Sequence, residues 1–155
     1  MEVEITYKSG MDFEAKTSKE SFMLEPKKVS PIELFAIGMI GCTGTDIVSL
    51  CESQKHTLNY FNLKSEIQRA DDMPKKFIDI HLIYEIESDA DDLVVTRWTQ
   101  ASIQTYCSTL NTVRDTSKIR YSIIHNKQTI VDNESIISGQ GTDNIDLDSI
   151  ESCPA

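Results

Sequence analysis

The chain has 155 residues, of which 39% are hydrophobic and 26% charged, and it carries a formal net charge of −10. This size and composition predict one compact globular domain and exclude a chain that stays unfolded for want of apolar residues. The acidic balance argues against a partner bound mainly through phosphate groups, which excludes nucleic acids and anionic membrane surfaces.

The first thirty residues are predicted to form short antiparallel strands. Apolar and polar residues alternate over residues 3–8 and again from Phe13 to Ala15, after the pair Ser9-Gly10, which is typical of two strands joined by a turn. Residues 21–24 are assigned to a third short strand. The N-terminus lacks the basic start of a signal peptide, and no apolar run approaches the roughly 20 residues of a membrane span. We therefore expect a cytoplasmic protein with no membrane segment.

A long helix is predicted from Pro31 to about Ser53. Its start carries a capping signal, because Ser30 can accept backbone N–H groups of the first turn and Glu33 can bond back to Ser30. The helix is apolar on nearly every side, which predicts burial in a core or in a subunit interface. Its glycines recur at every third position, at Gly38, Gly41 and Gly44. This spacing predicts that another backbone packs closely against the helix.

The middle of the chain predicts a hairpin, a second helix and a closing strand. Residues 58–68 and the alternating stretch 78–86 flank a turn, which indicates an antiparallel hairpin. Residues 93–111 have helical spacing of apolar groups without proline or glycine, so they are assigned to a second long helix. Residues 119–123 alternate again and close the fold. The element order predicts an α+β fold in which helices cover one face of a mostly antiparallel sheet.

Residues 131–155 differ in composition from the rest of the chain. They contain six acidic residues, no basic residue and no aromatic residue. Such a segment buries too little apolar area to offset the entropy that is lost on ordering it. We therefore predict a folded domain over 1–130 and an acidic flexible tail over 131–155.

Several motifs that would point to other chemistry are missing from the sequence. There is no P-loop, GxGxxG or GxSxG pattern, so neither nucleotide binding nor serine hydrolysis is predicted, and no cofactor is expected. Residues 41–44 have the GxxG outline of a KH loop but contain no basic residue. His56, His81 and His125 have no ligand spacing with one another or with a cysteine, so no metal is predicted.

The four cysteines are the most informative residues. Cys42 and Cys51 are nine positions apart on the first predicted helix, half a turn out of phase, and cannot face one site. Cys107 lies near the end of the second predicted helix, and packing of the two helices would bring it within reach of Cys42. Cys153 lies in the predicted tail. From spacing alone, Cys42 and Cys107 are either small buried core residues or a functional pair.

The residues from Ser30 to Leu50 resemble the central helix of the osmotically inducible and organic hydroperoxide resistance (OsmC/Ohr) family, in the branch with a GCTxxD core. Residues 74–82 are similar to the hairpin of that family. Arg97 and the run Tyr106-Cys107-Ser108 resemble its second cysteine helix. Together the matching segments extend over residues 1 to about 130.

The resemblance implies an OsmC-like fold and an intertwined homodimer with two long helices at its centre. It also implies thiol-dependent reduction of organic hydroperoxides, with Cys42 as the peroxidatic and Cys107 as the resolving cysteine. A dithiol such as a lipoyl group would then reopen the disulfide. The alternative is a non-catalytic protein that binds a small hydrophobic ligand on the same dimeric fold.

The resemblance further implies an N-terminal arginine beside the thiolate and a glutamate in the first turn of the central helix. Residues 1–68 contain no arginine. We name four other basic residues as candidate sources of positive charge: Lys27, Lys28, Arg69 and Arg114. The glutamate position aligns with Ile32, and the neighbouring Glu33 is the candidate catalytic residue, with helix capping as its alternative role. Asp46 follows Cys42 by one turn on the same face, and it would raise the pKa of that thiol if it were close and ionised.

Overall fold

The fold consists of two separate β-sheets, with a 23-residue helix, α1 (Pro31–Ser53), between them in the sequence. The computed structural model describes residues 1–136, which divide into two units, Met1–Gly38 and the residues from Met39 onward. Each described sheet forms its hydrogen bonds within its own unit.

The first unit holds a three-stranded antiparallel sheet. Its strands are β1 (Val3–Ser9), β2 (Asp12–Thr17) and β3 (Ser21–Leu24). They coincide with the predicted strands. Gly10, in the turn between β1 and β2, has a φ of 57°, which glycine adopts at little steric cost.

α1 begins at the capping box that the sequence predicts. The N–H and hydroxyl groups of Ser30 donate to Glu33 Oε2 at 2.8 and 2.6 Å, and the Glu33 N–H donates to Ser30 Oγ at 3.4 Å. Pro31 occupies the first helical position, where its missing N–H costs no hydrogen bond. The predicted extent of this helix is confirmed.

The second unit holds a four-stranded sheet in the order β4 (Leu58–Arg69), β5 (Phe77–Ser88), β6 (Lys118–His125) and β7 (Gln128–Ser135). The pairs β4–β5 and β6–β7 are antiparallel, which confirms the predicted hairpin. Strands β5 and β6 are parallel because a helical crossover joins them. The predicted α+β class with a mostly antiparallel sheet is confirmed.

Strand β7 corrects the predicted start of the tail, because residues 131–135 belong to the sheet. Asn126 and Lys127, with φ values of 48° and 69°, form the tight turn that leads into it. The strand is polar because it pairs on one side only and leaves its other side to solvent. The rest of the predicted tail, residues 137–155 with Cys153, lies outside the described residues.

The second predicted helix, 93–111, is present but interrupted. It consists of α2 (Asp92–Ala101), a π-helical turn (Ser102–Tyr106) and α3 (Ser108–Val113). Cys107 separates the last two in an extended conformation, with φ −67° and ψ 99°. Its N–H donates to the Ser102 carbonyl, five residues earlier, at 2.9 Å. The wider hydrogen-bonded turn ends the helix without any proline or glycine.

One side of α1 is buried and the other is exposed, so the prediction of an all-round buried helix does not hold within a single chain. The buried residues are Met39, Thr43, Asp46, Ile47, Leu50 and Cys51. On the other side, Ile37 is 54% and Val48 36% exposed. The length of α1 and its mean hydropathy of 1.7 would also suit a membrane span, but its buried side carries hydrogen-bonded polar groups, as expected of a core helix.

The glycines of α1 do not bring a second helix close within the chain. A Cβ atom at Gly38 or Gly41 would meet nothing within 4 Å. At Gly44 it would lie 3.3 Å from the ring of Phe61 on β4. The predicted close approach therefore occurs at Gly44, and its partner is a strand side chain.

Candidate functional site

The break before α3 places Cys107 beside Cys42. The two thiol groups lie 3.4 Å apart. Cys107 is fully buried, whereas Cys42, in the middle of α1, is partly exposed. A disulfide bond joins sulfur atoms at about 2.05 Å, so the thiols need only a small movement to react with each other. The structure thus brings together the two cysteines that the resemblance singled out.

Hydrogen-bond donors from residues 107–109 surround the Cys42 sulfur. They are the backbone N–H and the hydroxyl of Thr109, the thiol of Cys107 and the hydroxyl of Ser108, whose oxygen lies 3.8 Å away. Burial raises the pKa of Cys42, but these donors favour the charged thiolate and together bring the pKa below its ordinary value. These donors are all neutral groups, and the pKa of Cys42 is lowered although Asp46 lies close by.

The pKa of Cys107 moves in the opposite direction. Burial raises the pKa of Cys107 to about 12, and the neighbouring Cys42 adds to the increase. Cys107 therefore remains a thiol at neutral pH and can donate its proton towards the Cys42 sulfur. One cysteine is set up to ionise and the other to stay protonated.

A buried polar network lies against the two cysteines. The Ser102 hydroxyl donates to Asp46 Oδ2 at 2.7 Å, Thr43 Oγ1 lies 2.6 Å from Ser102 Oγ, and Tyr84 Oη lies 2.7 Å from Thr43 Oγ1. Asp46 is 7% exposed, and burial raises its pKa. One Asp46 carboxylate oxygen and the sulfurs of Cys42 and Cys107 all lie within 4.8 Å of one another.

Ser102 and Tyr84 were not among the residues predicted from sequence. Their spacing to Cys42 carries no signal, because they come from the π-helical turn and from β5. Thr43 and Asp46 could have been found from the sequence. Thr43 follows Cys42 directly, and Asp46 lies one helical turn after Cys42. The sequence related Asp46 only to the pKa of the Cys42 thiol.

Three of the four candidate sources of positive charge have other described partners. Arg114 donates to two backbone carbonyls of the π-helical turn at 2.8 and 3.2 Å. Arg69 donates to a carbonyl of the β4–β5 turn at 2.8 Å. Lys28, next to Lys27 in the first unit, pairs with the glutamate three residues before it at 2.7 Å. The low pKa of Cys42 is explained by the neutral donors of residues 107–109.

Glu33 is held by the helix cap. Hydrogen bonds from the side chain and backbone of Ser30 lower the pKa of this exposed carboxyl group. This geometry supports the capping role that the sequence left open as the alternative to catalysis.

Cys51 lies apart from the thiol pair, as its helical phase predicts. Its sulfur donates to the His56 carbonyl at 3.4 Å. Burial, followed by the charges of Asp89 and Glu52, raises the pKa of Cys51. A buried thiol with a raised pKa is a poor nucleophile, and the surroundings of Cys51 are those of a packing residue.

A second cluster has the connectivity of a serine hydrolase triad. Ser88 Oγ lies 3.0 Å from His125 Nε2, and His125 Nδ1 lies 2.6 Å from Asp92 Oδ1. However, Ser88 is only 6% exposed, and its oxygen also accepts the Ala90 N–H at 3.3 Å. A nucleophile must be accessible to its substrate. We therefore interpret this cluster as hydrogen bonds that hold the start of α2 against the sheet.

Comparisons with known proteins agree with this fold. The sequence profile of the family described as OsmC-like protein matches residues 24–122. None of the curated protein sequences compared with this chain matches it significantly.

Three solved structures share the fold. A hypothetical protein from Aquifex aeolicus VF5 is 22% identical with a TM-score of 0.71, covering 81% of this chain and 96% of its own. An OsmC-like protein from Mycoplasma pneumoniae is 13% identical with a TM-score of 0.69, covering 80% and 95%. An organic hydroperoxide resistance protein OsmC from Legionella pneumophila is 16% identical with a TM-score of 0.56, covering 79% and 96%.

Proposed function

The chain belongs to the OsmC-like protein family, and we propose that it reduces organic hydroperoxides through the thiol pair Cys42 and Cys107. The observation that carries the proposal is the contact between these thiols, 3.4 Å apart, with pKa values moved in opposite directions. The Legionella pneumophila relative, an organic hydroperoxide resistance protein, gives the substrate class.

The first step uses the Cys42 thiolate as the nucleophile. It attacks the terminal oxygen of ROOH, the O–O bond breaks, and Cys42 becomes a sulfenic acid while RO⁻ takes up a proton and leaves as ROH. The reaction needs the thiolate, which is a minor species for an ordinary cysteine at neutral pH. The donors of Ser108 and Thr109 supply the required stabilisation, and the partial exposure of Cys42 admits the peroxide.

The second step uses Cys107 as the resolving thiol. Cys107 loses its proton and attacks the Cys42 sulfur, forming the disulfide, and the sulfenic oxygen leaves as water. Interaction with Cys42 is one cause of the high pKa of Cys107. Conversion of Cys42 to a neutral sulfenic acid weakens that cause, so Cys107 becomes more acidic after the first step. The environment therefore favours the order Cys42 first, Cys107 second.

A dithiol returns the protein to its starting state. One of its sulfurs attacks the disulfide, the second displaces the mixed disulfide, and the dithiol leaves in oxidised form. A lipoyl group is a dithiol of this class. Glu33 has no part in this scheme, since its carboxylate caps α1.

The proposed working state is a homodimer. Members of the OsmC/Ohr family are generally dimeric. In this chain, α1 leaves apolar side chains exposed, among them Ile37 at 54%. A second copy that covers this side would remove apolar surface from water and would account for a helix whose sequence is apolar on nearly every side.

The proposal is tested by the rate at which the reduced protein consumes an organic hydroperoxide. We expect Cys42→Ser to lower that rate by about 100-fold or more, because serine has no accessible anion at neutral pH. Cys51→Ser is the matched control, since it also removes a thiol from α1, and it should keep the rate. Equal rates for Cys42→Ser and the unmodified chain would refute the proposal. Co-purification of a small hydrophobic ligand with a slowly reacting Cys42 would favour the non-catalytic alternative.

A further inference from the structure

The thiol pair shares its location with a third potential ligand. Among the described residues, the sulfurs of Cys42 and Cys107 and one carboxylate oxygen of Asp46 are mutually within 4.8 Å. Cys42 and Asp46 are one turn apart on α1, and Cys107 reaches them from the break before α3. We propose that these three residues form a Zn²⁺ site in the reduced protein. The histidine spacing predicted no metal, whereas this set of ligands contains no histidine.

The distances suit a four-coordinate metal. With Zn–S bonds of about 2.3 Å and Zn–O bonds of about 2.1 Å, tetrahedral geometry separates the ligand atoms by about 3.5–3.8 Å. The sulfurs of Cys42 and Cys107 are 3.4 Å apart, slightly closer than this, and no pair in the set exceeds 4.8 Å. Small side-chain rotations would therefore complete the three protein bonds.

The donor types select the metal class. Two cysteine sulfurs and one carboxylate favour Zn²⁺ over Mg²⁺ or Ca²⁺, which prefer all-oxygen ligands. On binding, Zn²⁺ takes the place of the Cys107 thiol proton, and of the Cys42 proton wherever that thiol is not yet ionised, and the displaced protons pass to solvent. Cys42 is partly exposed, so the fourth position is open to water.

The surroundings hold the carboxylate in place. The Ser102 hydroxyl donates to Asp46 Oδ2 at 2.7 Å, and Ser102 is itself fixed by Thr43 Oγ1 at 2.6 Å. Such hydrogen bonds to a ligating carboxylate orient it towards the metal. Asp46 is 7% exposed, so a bound cation would be largely shielded from solvent on this side.

The site also has a consequence that depends on the proposed function. A bound Zn²⁺ engages the sulfur lone pairs of Cys42 and Cys107, so the metal-bound form would not attack a hydroperoxide. Conversely, a disulfide between the two cysteines leaves no thiolate ligand, so the oxidised chain would not bind the metal.

The test is a titration of the reduced, metal-free full-length chain, without oxygen or hydroperoxide. Co²⁺ serves as the spectroscopic substitute for Zn²⁺, and Zn²⁺ affinity is measured by competition with a chromophoric chelator. We expect one ion per chain and a thiolate-to-cobalt charge-transfer band. Asp46→Asn should weaken Zn²⁺ binding at least tenfold, Cys107→Ser should abolish the band, and the control Cys51→Ser should change neither.

Three results would overturn the inference. They are the absence of a thiolate band with the unmodified chain, full Zn²⁺ affinity in Asp46→Asn, and equal binding by the chain that carries a Cys42–Cys107 disulfide. If Asp46→Asn does not fold, the band and the disulfide comparison decide the matter. Because binding is measured without hydroperoxide, a protein that binds Zn²⁺ but consumes no peroxide would refute only the proposed function.

Discussion

At the Cys42 sulfur, burial and hydrogen bonding have opposite effects on ionisation, and hydrogen bonding prevails. The donors belong to residues 107–109, so one backbone N–H and three neutral side chains stabilise the thiolate where the resemblance implied an arginine. The Thr109 hydroxyl also lies 3.3 Å from the Met39 carbonyl and has one proton to donate. A thiolate is a stronger acceptor than a neutral carbonyl, so we expect this proton to turn to Cys42 when the thiol ionises.

Thr109→Val tests this donor while preserving the shape of the side chain. We expect the pH midpoint for alkylation of Cys42 to rise by roughly one unit, because a hydrogen bond to a charged group is lost. At pH 7 the alkylation rate should fall accordingly. The measurement is the rate of Cys42 alkylation as a function of pH, in metal-free buffer.

Thr112→Val is the matched control for that change. Thr112 lies on the same helix, and its hydroxyl donates to the Ser108 carbonyl at 2.8 Å. This variant should keep the midpoint of the unmodified chain. An unchanged midpoint in Thr109→Val would show that the hydroxyl does not stabilise the thiolate.

Among the elements, those with strong local signals were predictable from sequence. The capping box at Ser30 set the start of α1, and the alternation over residues 78–86 identified β5. The break at Cys107 could not be predicted, since it arises from an N–H that bonds five residues back to Ser102, and no residue type marks it. Strand β7 was missed because an edge strand can be as polar as a tail.

The same limits apply to the candidate site. The order of two cysteine motifs pointed to Cys42 and Cys107, but their contact depends on the break that sequence did not reveal. The donors Ser108 and Thr109 acquire their role only because Cys107 is extended. Side chains contributed by a different element, such as Tyr84 on β5, have no spacing relation to Cys42 that a sequence could display.

Arg114 stabilises the π-helical turn that positions Cys107. Its guanidinium group donates to the carbonyls of Ile103 and Gln104 at 2.8 and 3.2 Å. Arg114→Met should lower the free energy of unfolding by about 1–3 kcal/mol, because two hydrogen bonds are lost. We also expect slower disulfide formation after oxidation of Cys42, since Cys107 is held less firmly. Denaturant unfolding and quenched-flow thiol trapping measure the two effects.

The control for Arg114 is Arg97→Met, which removes an exposed arginine of α2. It should leave both the free energy of unfolding and the rate of disulfide formation near those of the unmodified chain. If the two arginine variants behave alike, Arg114 does not act through the π-helical turn.

At the scale of the whole molecule, the exposed side of α1 is the feature that a single chain leaves unexplained. Gly41, Thr45 and Val48 recur at helical spacing on that side, and all three are exposed. A glycine lowers the stability of a helix, and close approach of another group is a reason for a helix to contain one. In the described chain nothing lies within 4 Å of a Cβ at Gly41. Close packing of the proposed second copy would explain why a glycine occupies this position.

Gly41→Phe tests the homodimer. A ring at this position enters open space in the single chain, but it would obstruct a second copy packed on α1. Light scattering should give twice the chain mass for the unmodified protein and a smaller mass for Gly41→Phe. Lys64→Phe, which adds the same ring on an exposed position of β4, should remain dimeric. A monomeric unmodified chain, or a fully dimeric Gly41→Phe, would contradict the proposed arrangement.

The central claim is that Cys42 and Cys107 act as one redox unit. It is tested most directly by treating the reduced chain with one equivalent of an organic hydroperoxide and mapping its cysteines by non-reducing peptide mass spectrometry. The account predicts a Cys42–Cys107 disulfide, with Cys51 still a free thiol. A Cys42 oxidised beyond the sulfenic acid beside an unreacted Cys107, or two thiols that remain reduced while the peroxide persists, would contradict it.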